Sequence, residues 1–153
     1  LDSADGALRE RGCGLRARSM EVIAGRPAPA TLTFKGPARA STMKRREEIE
    51  TAITDVDVTL RILGEIGFAL VVGYRKRREH WTLYACSIEL DEVPLLGTFV
   101  EIEGPSEDAV RAVQDRLQLA RQPHVKPSYV RMLVERCHEL ERSATDIDFE
   151  SSC

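Results

Sequence analysis

This 153-residue sequence lacks the short motifs by which many enzymes are identified. It contains no G-x-S-x-G nucleophile motif, no P-loop and no Rossmann glycine pattern. Three histidines are present, but none has an acid or nucleophile at a matching spacing, and we interpret them as surface residues near turns or on a helix: His80, His124 and His138. Any catalytic site must therefore be sought in another pattern.

Cysteine pairs, apolar runs and an excess of one charge are also missing. The four cysteines form no C-x-x-C pair and have no histidine at zinc-ligand spacing, so we expect reduced thiols: Cys13, Cys86, Cys137 and Cys153. No apolar run approaches the roughly 20 residues of a membrane span, which predicts a cytoplasmic protein. With 22 basic and 25 acidic residues the net charge is −3, which argues against a general nucleic-acid or membrane-surface binder.

The order of elements predicts one mixed α+β domain over residues 1–142, followed by a disordered acidic tail at 143–153. Strands are predicted at 13–18, 31–35, 45–53, 68–78, 81–90 and 97–103, with loops at 25–29 and 37–43. Helices are predicted from Thr54 or Asp55 to about 65, from Ser106 to about 117 and from Ser128 to about 142. In the last helix, the inward residues are predicted to be Val130, Leu133, Val134 and Cys137. The chain begins at Leu1 on a turn-like segment, so we expect an N-terminal strand to precede it in the parent protein.

Charged residues two apart, alternating with apolar ones, recur in six short stretches. This is the period of a β-strand, so each stretch places its charges on one face of a sheet. If the sheet closes into a barrel, the charges line its interior; if it stays open, they are solvated. A single charged strand is usually a solvated face, but six in one short domain favour an interior site.

The charge types match the needs of a bound triphosphate, which carries about four negative charges and is held by basic side chains and hard cations. Candidate phosphate ligands are Arg16, Arg18, Lys35, Arg46, Lys76 and Arg78. Candidate carboxylates are Glu48, Glu50, Asp91, Glu101 and Glu103. The Glu101-Ile102-Glu103 pair suits one Mg²⁺ or Mn²⁺, or equally a solvent-facing edge. Alternation splits the Arg75-Lys76-Arg77-Arg78 run, so that Arg75 and Arg77 are interpreted as solvated.

In order along the chain, the motifs resemble those of the CYTH family, the class IV adenylyl cyclases and thiamine triphosphatases also called triphosphate tunnel metalloenzymes. They are D-x-x-D-G-x-L-R-x-R-G, L-R-A-R, T-F-K-G-P, R-R-E-E-I-E, L-G-E-I-G-F, Y-R-K-R-R-E-H-W, E-L-D-E-V-P-L-L-G, F-V-E-I-E-G and S-Y-V-R-M-L-V-E. The L-D-x-V, F-V-E-I-E-G and S-Y stretches look nearer to the cyclase-like branch. The family's E-x-E-x-K motif has no match here.

The resemblance implies an antiparallel eight-stranded barrel that encloses a triphosphate beside one or two divalent cations, Mg²⁺ or Mn²⁺. By position, Arg16, Arg18, Lys35, Lys76 and Arg78 would hold phosphate, and Asp91, Glu101 and Glu103 would hold metal. Glu48 and Glu50 would orient the basic residues or a metal-bound water. We expect a cyclase that converts ATP to cyclic AMP and pyrophosphate, as a monomer or homodimer. The alternatives are a tripolyphosphatase, a thiamine or nucleoside triphosphatase, and a noncatalytic polyphosphate-binding or nucleotide-binding module.

Overall fold

In the computed structural model of the chain, residues 1–21, 29–37 and 46–150 are described. Backbone contacts divide the chain into two compact units, Leu1–Val71 and Val72–Cys153, and each is described by itself. The predicted domain of residues 1–142 spans parts of both. The predicted α+β class with antiparallel strands is confirmed. The described strands form sheets of two, three and three strands, and their closure into one barrel stays a prediction.

The first unit contains a three-stranded sheet and a capped helix. Its elements in chain order are β1 (Asp2–Ser3), α1 (Ala7–Glu10), β2 (Gly14–Arg18), β3 (Ala30–Lys35), β4 (Glu48–Ile53), α2 (Val56–Glu65) and β5 (Phe68–Ala69). β2, β3 and β4 pair in this order, and β1 pairs with β5. Of the two predicted caps of α2, Thr54 and Asp55, the structure selects Asp55, whose side chain accepts a hydrogen bond of 2.9 Å from the Val58 amide. Most of the predicted loops at 25–29 and 37–43, and the strand start at 45, lie outside the described residues.

The second unit contains the other three-stranded sheet and two helices. Its elements are β6 (Arg77–Leu83), β7 (Cys86–Val93), β8 (Gly97–Glu103), α3 (Glu107–Arg116) and α4 (Tyr129–Glu139). The three strands pair antiparallel in chain order. Ser106 and Ser128 cap α3 and α4 through hydrogen bonds of 3.2 Å and 3.3 Å from backbone amides, which confirms both predicted helix starts.

The hairpin between β6 and β7 differs from the prediction. The sequence places its turn at residues 79–80, whereas β6 continues through His80 and Trp81 and the chain turns at 84–85. This register sets Arg78 opposite Asp91, so opposite charges face each other across the strands. Tyr84 takes the turn conformation with a φ of 54°, although tyrosine is not a residue that signals a turn.

The core of the second unit shows that the predicted tail is partly packed. The buried cluster consists of Val93, Leu133, Cys137 and Ile147. The predictions for Leu133 and Cys137 are confirmed, whereas Val130 and Val134 are 45% and 42% exposed, so the prediction that they face inward is wrong. The buried stripe of α4 is narrower than the sequence pattern suggests. Ile147, from the segment predicted to be disordered, is 2% exposed.

Cys13, Cys86 and Cys137 are free thiols, and Cys153 lies outside the described residues. Within the described part of the chain, none of the helices combines the length and apolar character that a membrane crossing requires.

Candidate triphosphate and metal site

One face of the β2–β3–β4 sheet collects most of the predicted site residues of the first unit. Arg16, Thr33 and Glu50 lie opposite one another across the three strands, and Lys35 lies opposite Glu48. Arg18 is two residues from Arg16 and therefore on the same face. We call this set of Arg16, Arg18, Thr33, Lys35, Glu48 and Glu50 the basic face. Its three cations outnumber its two carboxylates.

Ionic hydrogen bonds order the carboxylates of the basic face. The Lys35 ammonium lies 2.6 Å from Glu48 Oε1. The hydroxyl of Thr33, which is fully buried, donates a hydrogen bond of 2.5 Å to Glu50 Oε2. That hydrogen bond, together with the charges of Arg18, Arg16 and Lys35, lowers the pKa of Glu50. Glu48 therefore holds Lys35 directly, whereas Glu50 is held by Thr33 and interacts with Arg18, Arg16 and Lys35 through their charges. Arg46 lies just before β4, which begins at Glu48.

A second group of charges lies on one face of the β6–β7–β8 sheet, with Arg78 at its centre. Arg78 binds both oxygens of Asp91 through Nε and Nη2, each at 2.6 Å. Its Nη2 also lies 2.8 Å from Glu101 Oε2, and its Nη1 contacts Glu89. Lys76 donates a hydrogen bond of 2.8 Å to Asp91 Oδ2. We call Lys76, Arg78, Glu89, Asp91 and Glu101 the charge cluster.

Burial makes the electrostatics of the charge cluster strong. Asp91 is fully buried; burial alone would raise its pKa, but hydrogen bonds from Arg78 and Lys76 outweigh burial and lower it. Burial lowers the pKa of Lys76, although the hydrogen bond to Asp91 opposes this. Burial raises the pKa of Glu89, and the like charges of Glu103 and Glu101 add to the effect against the opposing charge of Arg78. The cluster thus holds two cations among an excess of carboxylates.

Tyr129, the first residue of α4, closes one side of the charge cluster. Its ring centroid lies 5.4 Å from the Lys76 ammonium and 5.0 Å from the centroid of Phe99. Its hydroxyl is buried and makes no hydrogen bond of standard geometry within the described residues, although it lies near enough to Asp91 and Glu101 to interact with both carboxylates. Burial and the negative charges of Glu101 and Asp91 raise the pKa of Tyr129, so the hydroxyl keeps its proton at neutral pH.

The three predicted metal ligands fit a divalent cation only in part. Glu101 and Glu103 lie two apart on β8 and offer carboxylate oxygens, which are the donors that Mg²⁺ and Mn²⁺ prefer. Asp91 has both oxygens occupied by Arg78 and Lys76. Among the described residues, no group of three or more His, Cys, Asp or Glu side chains is arranged to hold a metal ion. Metal ligation by Asp91 would require its two cations to turn away.

The two-residue period predicts both charged faces and places Glu89 with Asp91 and Thr33 with Lys35, but Glu89, Thr33 and Tyr129 were not predicted to be site residues. Glu89 belongs to the charge cluster and could have been included, since it lies two residues before Asp91. Thr33 could have been found in the same way, two residues before Lys35. Nothing in the local pattern around Tyr129 indicates its contact with Lys76, because that contact depends on how α4 packs.

Comparisons with known proteins concern the family and the fold rather than these side chains. The CYTH domain matches residues 1–131. Over 72 residues the chain is 38% identical to a protein of Methanocaldococcus jannaschii named "Putative adenylate cyclase"; the match covers 47% of this chain and 41% of that protein. The chain thus spans less than half the length of this relative.

Two solved structures share the fold. The PH1819 protein of Pyrococcus horikoshii OT3 is 31% identical, with a TM-score of 0.72, over 84% of this chain and 76% of that one. A structure from Vibrio parahaemolyticus, described as a "putative adenylate cyclase", is 25% identical, with a TM-score of 0.64, over 87% of this chain and 76% of that one.

Proposed function

This chain belongs to the CYTH domain family, whose members are metal-dependent enzymes that bind triphosphates such as ATP, and we propose that it is a class IV adenylyl cyclase-like enzyme. In this proposal ATP is converted to cyclic AMP and pyrophosphate in the presence of Mg²⁺ or Mn²⁺. The names of the relatives from M. jannaschii and V. parahaemolyticus support cyclisation over hydrolysis. We further propose that the enzyme is cytoplasmic.

The observation that carries the proposal is the arrangement of Lys76 and Arg78 around Asp91. Both cations are largely buried, with side chains 19% and 25% exposed, and are already oriented by a common carboxylate. Two ordered cations on one sheet face are suited to a polyanion, because little side-chain entropy is lost when phosphate oxygens replace the carboxylate. A purely solvated face would not require a fully buried aspartate.

The proposed mechanism assigns binding and orientation to this chain's own residues. Arg16, Arg18, Lys35, Arg46, Lys76 and Arg78 bind the phosphate oxygens, and Lys76 also stabilises charge that develops during reaction. Glu48 and Glu50 keep the basic side chains aligned. Glu101 and Glu103, joined by Asp91 once its cations face the phosphate, would hold the divalent cation, which neutralises triphosphate charge. The 3′ oxygen of ATP bonds to the α-phosphorus as the bond between the α-phosphorus and the bridging oxygen of pyrophosphate breaks. The proton of the 3′ hydroxyl is released to solvent.

The test is ³¹P NMR of the chain with ATP and Mg²⁺ or Mn²⁺, together with calorimetric titration of ATP. We expect pyrophosphate and a cyclic phosphodiester. The Lys76→Met variant should react more slowly, on the order of 100-fold, since it loses one donor to the developing charge. Lys126→Met, at an exposed lysine in the segment before α4, is the matched control and should react as the wild type does.

Any other result of these two measurements would replace the cyclase proposal with a different function. ADP with orthophosphate would identify a hydrolase. Metal-independent binding without turnover would identify a binding module. If neither ATP nor tripolyphosphate binds, the chain does not act on triphosphates.

A further inference from the structure

The Arg75-Lys76-Arg77-Arg78 run has two arginines that the charge cluster does not use. The Arg75 guanidinium lies 3.3 Å from Asp148 Oδ2, and Arg77 lies over the ring of Phe149, 4.1 Å from its centroid. The two-residue period predicts that both arginines are solvated, and this is confirmed, since their side chains are 78% and 68% exposed. Both also contact residues 144–149, which we call the C-terminal segment. Alternate residues of the run thus face two different partners.

Backbone hydrogen bonds tie the same two stretches together. The Gly73 amide donates to the Ala144 carbonyl and the Ile147 amide donates to the Gly73 carbonyl, both at 2.9 Å. The Arg75 amide donates to the Ile147 carbonyl at 3.0 Å, and Tyr74 and Ile147 form a parallel bridge. Pairing of β6 with β7 begins only at Arg77. The backbone that carries Lys76 is therefore held by the C-terminal segment rather than by the sheet.

Ile147 anchors the C-terminal segment. It is 2% exposed and packs in the core with Val93, Leu133 and Cys137. The Arg75–Asp148 ion pair is a weaker tether because the arginine side chain is 78% exposed and the pair is screened by water.

We propose that the C-terminal segment is a positioning element that fixes the backbone of residues 73–77 and thereby orients Lys76 and Arg78 for a bound triphosphate. The inference rests on the proposed function, and the segment lies beyond the residues that the CYTH domain matches. Preorganised side chains bind more tightly because the ligand does not have to order them. Loosening the segment should therefore weaken binding even when the unit stays folded.

The test compares Ile147→Ala with Leu133→Ala. Both residues are buried in the same core, so both variants lose packing, but only Ile147 forms backbone hydrogen bonds with Gly73 and Arg75, next to Lys76. Affinity for inorganic tripolyphosphate is measured by calorimetry below the unfolding temperature of each variant. We expect Ile147→Ala to bind about tenfold more weakly than Leu133→Ala, the size expected when two long side chains must be ordered by the ligand. Equal affinities would overturn the positioning role.

A second variant covers the case in which Ile147→Ala does not fold. Asp148→Ala combined with Phe149→Ala removes both side-chain tethers and keeps Ile147 in the core. We expect about threefold weaker binding, since the tethers are partly exposed. Asp146→Ala, an exposed change in the same segment, is its control and should bind as the wild type does. Wild-type affinity of the double variant would also overturn the inference, whereas failure of the wild type itself to bind would overturn the proposed function.

Discussion

Replacing Asp91 by asparagine is the sharpest test of the charge cluster. Asp91 is fully buried, and its two oxygens accept hydrogen bonds of 2.6, 2.6 and 2.8 Å from Arg78 and Lys76. Asparagine keeps the shape of the side chain but removes its charge and directs an amide group at the two donors. Both cations then stay partly buried without their shared counter-ion.

We expect Asp91→Asn to lower the free energy of unfolding at neutral pH by about 3 kcal/mol. Removing one partner of a buried ion pair costs about 3–5 kcal/mol, and the lower end applies because Arg78 and Lys76 keep 25% and 19% exposure to water. The pKa of Asp91 is lowered in the folded protein, so its contribution is complete above the unfolded pKa. It is lost as the pH falls through the folded pKa. The difference between the two proteins should therefore shrink in acid.

The assay is urea unfolding followed by the fluorescence of Trp81, the single tryptophan, which lies in β6 and reports on this unit. Glu92→Gln is the matched control, since Glu92 is the next residue on β7 and pairs with Arg77 across a surface where both side chains are exposed. Glu92→Gln should lower the free energy of unfolding by less than about 0.5 kcal/mol. If Asp91→Asn costs no more than this control, the Asp91 contacts do not stabilise the unit.

Three further variants test other parts of the two units. Thr33→Val should raise the pKa of Glu50 toward its usual value, because the hydroxyl that stabilises the carboxylate is removed; carboxyl ¹³C NMR titration measures this. Gly104→Ala should destabilise the protein by about 1–3 kcal/mol, since its Cβ would lie 2.6 Å from the Cys86 thiol. Tyr129→Phe should change the free energy of unfolding by less than about 1 kcal/mol, since the lost hydroxyl makes no hydrogen bond of standard geometry within the described residues.

Each of these variants has a matched control. Thr31→Val removes a second buried hydroxyl on the same strand, one that bonds to nothing in the described residues, and should leave the pKa of Glu50 unchanged. Gly64→Ala adds a methyl group in α2 where no atom lies within 4 Å, and should stabilise the helix by up to about 1 kcal/mol. Tyr129→Ala removes the ring packed on Phe99 and should cost about 3–5 kcal/mol. If the difference in pKa or in free energy of unfolding within a pair is the reverse of the one expected, the contact that the pair tests is contradicted.

The sequence predicted those helix starts that depend only on residues close together in the chain. Asp55, Ser106 and Ser128 cap helices where predicted, because capping depends on residues three positions apart. The hairpin turn at 84–85 was missed because the alternating pattern runs through it and Tyr84 is not a typical turn residue. The position of this turn gives the register of β6 and β7, which sets Arg78 opposite Asp91.

The charged faces likewise combine features that follow from the local sequence with contacts that depend on the tertiary structure. The two-residue period by itself determined that Arg16 shares a face with Arg18, and Asp91 with Glu89, because side chains alternate along any strand. The contacts of Asp91 with Lys76 and Arg78, the packing of Tyr129 on Lys76 and the entry of Ile147 into the core depend on the tertiary structure. Those contacts join residues far apart in the chain, and their energies depend on burial, which a linear pattern does not contain.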